Sequence, residues 1–429
     1  MKFEPYWHAT APRFDQAQSD AVQGHYDVAV IGGGFTGLNA ARRLAKNGVR
    51  VALLEAAHIG AGGSGRNGGH LNNGIAHGYG AAKLHLGAER AKALYQAFDR
   101  SIDMIEELIA EEGIDCNFRR CGKLKLASKP SHAAGLKANY ELIHKEVDAQ
   151  TDWIERDGLR TEVGGQDFHG GVLYRKTAMM HMGRYVHGLG QACARHGVDI
   201  WEEEPLIARK KIAKGWELST PKGKLTAERV ILATNGYTGA NRKAPLGYFR
   251  RRIIPVGSFI IATRPLTQAE IAATAPGNRT YVTSTNIHHY FRLSPDNRLI
   301  FGGRARFSAV SDHRSDAKSG EILQASLAQI FPHLAGIEID YCWGGLVGMT
   351  TDRFPRMGEA DGMLYALGYS GHGAQMTTLL GQALADMAMG QPNSTPLDGL
   401  KWPAIPAYDG RPWFLPFAGS WFRLKDLLS

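Results

Sequence analysis

The sequence predicts a two-lobed α/β protein, and three observations carry that reading. A strand, a glycine turn, a helix and a second strand follow one another without spacers between residues 26 and 55. Glycine is over-used, 52 of 429 residues, about 12% against an average near 7%. The excess gathers at 32–37, 60–69 and 368–373. Between about 200 and 307 the pattern changes from helical periodicity to short strands with turns. At roughly 100–200 residues per domain, the chain has room for two or three lobes.

Tyr26 to Ile31 reads as a short buried strand that runs into Gly32-Gly33-Gly34-Phe35-Thr36-Gly37. Leu38, Ala41, Leu44 and Ala45 then fall on one face of a helix, which Asn47-Gly48 ends. Val49 to Leu54 is a second strand with Glu55 at its end. Joints this short predict a parallel pair with a right-handed crossover. Residues 1–25 read as an irregular leader and 60–80 as loop. Helical spacing returns from Ala88 to Glu112, over about 178–196 and around 320–331. Strands are predicted at Ile253 to Thr263, His288 to Leu293, Leu299 to Gly303 and Met363 to Leu367. A last helix carries Met376, Leu379, Leu380, Ala383, Leu384 and Met387 on one stripe, and Gly390 and Pro392 stop it. The Pro- and aromatic-rich segment 396–429 is predicted to pack along the surface as a tail.

Composition excludes several classes. Hydrophobic residues are 44% and charged residues 21%, which suits a chain with a sizeable core. No run approaches the roughly 18–20 apolar residues of a membrane helix, and MKFEPYWHATAPRF lacks the apolar centre of a signal peptide. No membrane span and a cytoplasmic location are the expectation. The net charge is +9. The densest basic run is only Arg250-Arg251-Arg252, so attraction for anionic ligands is favoured over nucleic-acid binding. Cys116, Cys121, Cys193 and Cys342 form no C-x-x-C pair and predict reduced, buried thiols. His288-His289 has no third ligand in view, so no metal is predicted.

The first chemical motif is Gly32-x-Gly34-x-x-Gly37, with Glu55 18 residues beyond Gly37. The first glycine permits the turn, the second admits a pyrophosphate to the backbone, and the third lets helix and strand approach. The helix start offers free N–H groups to phosphate, and the acid suits ribose hydroxyls. A glycine turn serving only packing is the competing reading. The motif alone does not separate the nicotinamide and flavin dinucleotides.

Gly60-Ala61-Gly62-Gly63-Ser64-Gly65-Arg66-Asn67-Gly68-Gly69 is the second. It resembles the segment after the ribose-binding acid in D-amino-acid-oxidase-like (glycine/sarcosine oxidase-like) flavoproteins, most of all the gamma-glutamylputrescine oxidase branch. Arg229 to Tyr237 resembles the strand and turn with which that family returns to its FAD domain. Pro205-Leu206 resembles its adenine-flanking strand. Gly368-Tyr369-Ser370-Gly371-His372-Gly373, ahead of a long helix, resembles the segment that sets a helix start against the flavin edge. The likeness extends to Pro5-Tyr6-Trp7, Tyr290-Phe291-Arg292-Leu293, Trp343-Gly344-Gly345, Asp352-Arg353-Phe354-Pro355 and Trp421-Phe422, nearly the whole chain. It departs at His70, where glutamine is expected, and at Gly63, where alanine is commoner.

The resemblance implies a discontinuous Rossmann-like FAD-binding domain from 1–80, 151–245 and 341–395. An α+β substrate domain with an antiparallel sheet would come from 81–150 and 246–340, leaving the tail at 396–429. It implies FAD contacts from Gly32, Gly34, Phe35, Thr36, Gly37, Glu55, Ala56, Gly63, Ser64, Arg66, Asn67, Gly68, Gly69 and Leu71. Later contacts would come from Leu206, Ala233, Thr234, Asn235, Gly236, Gly344, Gly371, His372, Gly373, Ala374 and Gln375. No cysteine is placed for a covalent flavin link, so FAD is expected to be non-covalent. His70, His372, Tyr290 and Arg292 are the catalytic and substrate-side candidates. Tyr290 and Arg292 share a strand face and as a pair suit a carboxylate. A surface strand with a solvated arginine competes with that reading, as does a His372 that only shapes its turn.

The activity so implied is hydride transfer from a small, gamma-glutamyl-type amine to FAD, imine hydrolysis, and reoxidation by O2 to hydrogen peroxide. Three readings compete: a dehydrogenase that passes electrons to a quinone or carrier, a D- or N-methyl-amino-acid substrate, and a non-catalytic flavin-binding assembly factor.

Overall fold

The structure, a computed structural model, describes residues 1–239, 244–303, 309 and 313–428. At its centre is the strand His25–Ile31, paired in parallel with Val51–Leu54 on one side and Gly223–Leu232 on the other. The register Val28↔Val51 to Ile31↔Leu54 is the parallel pair that the short joints predict. Asp199–Trp201 extends this sheet beyond Val51–Leu54, and Met363–Leu367 runs parallel to the end of Gly223–Leu232. Trp216–Thr220, Ala208–Lys211 and Arg356–Ala360 add antiparallel edges. Val28 to Ile31 and Val51 to Leu54 are buried on both faces, which is why they read as unbroken apolar runs. Helices Phe35–Lys46, Met182–Arg195 and Gly373–Ala388 pack with this sheet into one core. This is a Rossmann-like lobe.

The second sheet has eight strands in the order Ile339–Met349, Ile254–Pro265, Arg298–Gly303, His289–Leu293, Thr280–Thr283, Lys123–Leu126, Gly171–Tyr174, Thr151–Ile154. Every pair is antiparallel except Thr280–Thr283 with Lys123–Leu126. One face is apolar: Leu124, Leu126, Phe259, Phe291 and Phe301 pack with Leu323 and Leu327 of helix His313–Ile330. The opposite face presents Lys123, Lys125, Ser258, Val282 and Tyr290 to a cavity between the lobes.

Sheet membership corrects the expected segment boundaries. Thr151–Ile154, Gly171–Tyr174 and Ile339–Met349 belong to the second sheet, whereas the sequence reading assigned 151–245 and 341–395 to the first lobe. A short strand's partner is fixed by a ladder far away in sequence, and no local pattern encodes it.

Both ends of the chain also differ from expectation. The leader is a packed element: helix Tyr6–Ala9 buries Tyr6 and Trp7, the Trp7 Nε1–H donates to Asn67 O at 2.6 Å, and the Tyr6 hydroxyl donates to Asp296 at 2.6 Å. The tail ends in a helix, Leu415–Leu428. Asp426 accepts from the N–H groups of Asn286 and Ile287 at 2.8 and 2.9 Å and anchors it. The long helix Ala88–Glu112 falls where its periodicity puts it and closes at Gly113 in the left-handed region. No helix among the described residues is long and apolar enough to cross a membrane.

Candidate active site

Helix Phe35–Lys46 begins at Gly34 with no side-chain cap of its own, so its first N–H groups look for acceptors elsewhere. One is met: Phe35 N–H donates to Ser64 Oγ at 2.9 Å, which ties the second glycine cluster to the first. The helix start lies at a cavity of about 880 Å³, lined there by Gly32, Gly34, Phe35 and Thr36. Gly37 is a packing position: a Cβ there would collide with the Gly32 carbonyl. Glu55 also faces the cavity. Its carboxylate accepts from Gly33 N–H at 2.6 Å and Ala57 N–H at 2.9 Å, and burial pushes its pKa up.

The 60–69 loop is fixed by its two polar side chains. Arg66 donates to the carbonyls of Ala61 (2.7 Å) and Gly344 (2.9 Å). Asn67 donates to Gly63 O and Ser64 O and accepts from Gly69 N–H at 2.9 Å. A flexible linker would hold neither side chain in place. Gly63, Ser64, Arg66, Asn67, Gly68 and His70 line the cavity, as do Ala56, Leu206, Ala233, Thr234, Asn235, Gly371, His372, Gly373 and Ala374.

Six of the expected cofactor positions stand behind this lining and support it. Gly37 packs helix on strand, and Gly69, with positive φ, sits against the Arg292 guanidinium. Leu71 is fully buried, Gly236 packs against Gly348, Gly344 accepts from Arg66, and Gln375 donates to Asn72 O at 2.7 Å.

The substrate-side candidates divide. Tyr290 lines the cavity, with its hydroxyl 3.0 Å from Ser258 Oγ and its ring edge-on to His70 at 5.5 Å. Arg292 does not line it. The shared strand face is real, but Gly69 lies between this guanidinium and the cavity. Arg292 is 1% exposed, donates to Gly69 O at 3.1 Å and lies 5.1 Å over the Trp7 ring. In this position it braces the glycine loop from behind the cavity lining.

His70 is buried, and burial together with Arg292 lowers its pKa to about 3. His372 caps the start of helix Gly373–Ala388, and burial with Lys123 lowers it to about 3 as well. With its pKa lowered in this way, His372 adds no charge to the helix end near neutral pH.

Sequence reasoning missed the two lysines of this wall. Lys123 Nζ donates to Asn73 O at 2.9 Å and sits 4.2 Å from the Tyr174 ring centre, and burial with Lys125 beside it lowers its pKa to about 7. Asn73 donates to Asp148 at 3.2 Å, and Lys176 pairs with Asp99 at 3.0 Å. Lys125 is half-buried two residues further along and also lines the cavity. The signal was the Lys-Leu-Lys-Leu alternation, which puts both lysines on one face; it does not say what the face looks at. Phe422 of the C-terminal helix also lines the cavity, in a segment read as surface tail.

A backbone cradle with a ribose-type acid, closed from the far side by ionisable side chains, defines a dinucleotide-dependent oxidoreductase. The comparisons with known proteins say which kind. The profile of the DAO family, described as FAD dependent oxidoreductase, matches residues 27–387, and the chain belongs to that family. It is similar to the probable oxidoreductase OrdL of Haemophilus influenzae, 35% identical over 391 residues, 90% of this chain and 88% of the relative. It is also similar to gamma-glutamylputrescine oxidoreductase of Escherichia coli, 30% identical over 408 residues, 94% of this chain and 93% of the relative. The crystal structure of glycine oxidase from Geobacillus kaustophilus shares its fold, with a TM-score of 0.74 at 22% identity over 88% of this chain and 98% of that one. The protein is thus an FAD-dependent oxidoreductase. The residues present fit that cofactor: the uncapped helix start and Glu55 suit its nucleotide half, and the cavity falls within the roughly 300–1,000 Å³ typical of ligand sites.

Proposed function

We propose that the protein oxidises the carbon–nitrogen bond of a small gamma-glutamyl-type amine to an imine, which water hydrolyses to an aldehyde, with O2 as electron acceptor. The observation that carries this reading is one continuous cavity, running from the glycine cradle and Glu55 to a wall bearing Tyr290, Ser258, Lys123 and Lys125. The full-length likeness to a gamma-glutamylputrescine oxidoreductase supports the choice of amine. FAD, when bound, supplies the two-electron sink that takes hydride from the carbon beside nitrogen and passes the electron pair on to dioxygen, giving hydrogen peroxide.

The chain's own residues prepare that chemistry. The start of helix Gly373–Ala388 lies at the cavity with no side-chain hydrogen bond capping it. Its partial positive charge, about half an elementary charge, suits an accumulating negative charge without help from His372. Tyr290 and His70 give a polar, neutral edge that orients an amine without adding repulsion. Phe422, on the helix anchored through Asp426, adds an apolar ring to the cavity lining. None of the four cysteines lines the cavity, and Cys342 Sγ donates to Asp316 O, which supports non-covalent FAD.

The test is anaerobic mixing of the yellow protein with gamma-glutamylputrescine, free polyamines, sarcosine, glycine and D-amino acids, followed by air. Bleaching by the gamma-glutamyl amine and rapid recolouring in air is expected. Bleaching only by amino acids overturns the substrate, slow recolouring with fast dye reduction overturns O2, and a flavin that no amine reduces overturns the reading.

A further inference from the structure

Three lysines stand on or behind the second-sheet wall, and two of them are compensated. Lys176 pairs with Asp99 at 3.0 Å and Asp148 at 3.6 Å. Lys123 has the Asn73 carbonyl and the Tyr174 ring, and the same two aspartates act on it through the field. Lys125 has no counterpart to these. The strand register puts Val172 and Val282 directly across from it on its two neighbours, and cross-strand partners share a face. Its ammonium has neither a hydrogen-bond acceptor nor a carboxylate among the described residues, yet it lines the cavity.

A half-buried ammonium flanked by valines is costly, because desolvation is not repaid by a partner. Asp99 and Asp148 act on Lys123, but no carboxylate acts on Lys125, whose pKa is lowered by burial alone. With Arg292 sealed beneath Gly69, the carboxylate-reading role falls vacant at the position first expected.

We propose that Lys125 binds the carboxylate of the substrate, so that the preferred substrate is an amine carrying a carboxylate at its glutamyl end rather than a simple polyamine. This rests on the amine-oxidation reading above and names the residue that selects within it. Burial lowers the Lys125 pKa, and a bound carboxylate offsets that desolvation, so ligand and lysine stabilise each other's charged forms.

The experiment measures Kd from the hyperbolic dependence of anaerobic flavin reduction on substrate, for gamma-glutamylputrescine and for gamma-aminobutyryl-putrescine, which lacks only the carboxylate. Wild type is expected to prefer the carboxylate-bearing substrate by roughly 100-fold, the range of a charge-assisted hydrogen bond. Lys125→Met is expected to abolish the preference and Lys125→Arg to keep most of it. A preference that survives Lys125→Met overturns the proposal. A second arm needs no turnover: glutarate binding, read from the shift of the flavin absorbance, is expected in wild type and in Lys125→Arg and lost in Lys125→Met. Equal glutarate binding by wild type and Lys125→Met overturns the proposal even if no amine reduces the flavin, so the two readings fail separately. Should Lys125→Met not retain FAD, Lys125→Gln takes its place in both arms.

Discussion

The two walls of the cavity recognise their ligands by different means. The wall from the first sheet is mostly backbone: the turn at Gly32, the uncapped helix at Gly34, and the loop held by Arg66 and Asn67. The wall from the second sheet is made of side chains, Lys123, Lys125, Ser258, Val282 and Tyr290, standing on regular strands. A backbone wall has little room for a Cβ at positions such as Gly32 and Gly34 and so has few solutions. A side-chain wall changes chemistry with one substitution and leaves its sheet intact. The first suits a ligand that stays the same, and the second suits one that varies.

The sharpest break of that comparison is Gly37→Val. The new side chain has no room against the Gly32 carbonyl, and overpacking of that kind costs about 1–3 kcal/mol or more. The protein is expected to purify colourless, with a clear fall in melting temperature. Retention of full FAD absorbance would show that the helix start is not held where the structure puts it.

Glu55→Gln comes next. The carboxylate accepts two backbone N–H groups, and an amide turns one acceptor into a donor facing a donor. An unmet buried group costs about 1–3 kcal/mol, so FAD affinity is expected to fall roughly 10- to 100-fold, read by fluorescence titration of the apoprotein.

The side-chain wall is expected to respond through charge. Lys123 has a pKa of about 7, lowered by burial, and Asp99 is raised to about 6 by burial. As pH rises from 5 to 8, Asp99 gains negative charge and Lys123 loses positive charge. Both changes weaken binding of an anion such as glutarate. Lys123→Met is expected to remove the step near 7, worth about five-fold in Kd for one partly screened charge, and to leave the earlier one. His70 and His372, both near 3, add no step in this window.

Tyr290→Phe is the smallest. It removes the contact with Ser258, a net loss of about 0.5–1.5 kcal/mol. It is expected to raise the KM several-fold with little change in melting temperature. A large loss of stability would make Tyr290 a structural residue.

The first wall was legible because glycines needed for close approach leave a mark at fixed spacing, and a strand before and a helix after give that mark its meaning. The loop was legible for the same reason. Of the second wall only Tyr290 was. Lys-Leu-Lys-Leu announces a strand with two faces, but Leu124 and Leu126 face a core completed by residues near 259, 291 and 323, and only that packing turns the lysines to the cavity. For Arg292 the strand face was legible, but its depth behind Gly69 was not, because that depends on how the lobes meet. The packing of Tyr6 and Trp7 and the placing of Phe422 depended on contacts with the far ends of the chain.

By itself, then, the sequence determined the parallel strand pair and the dinucleotide cradle, which rest on local spacing and backbone need, and its resemblance to known flavoproteins pointed to the family and its cofactor. The tertiary structure alone decided which strands complete the second sheet, which cations line the cavity and how deeply the histidines are buried. Pairing, depth and desolvation are properties of groups brought together from distant parts of the chain, and no local pattern carries them.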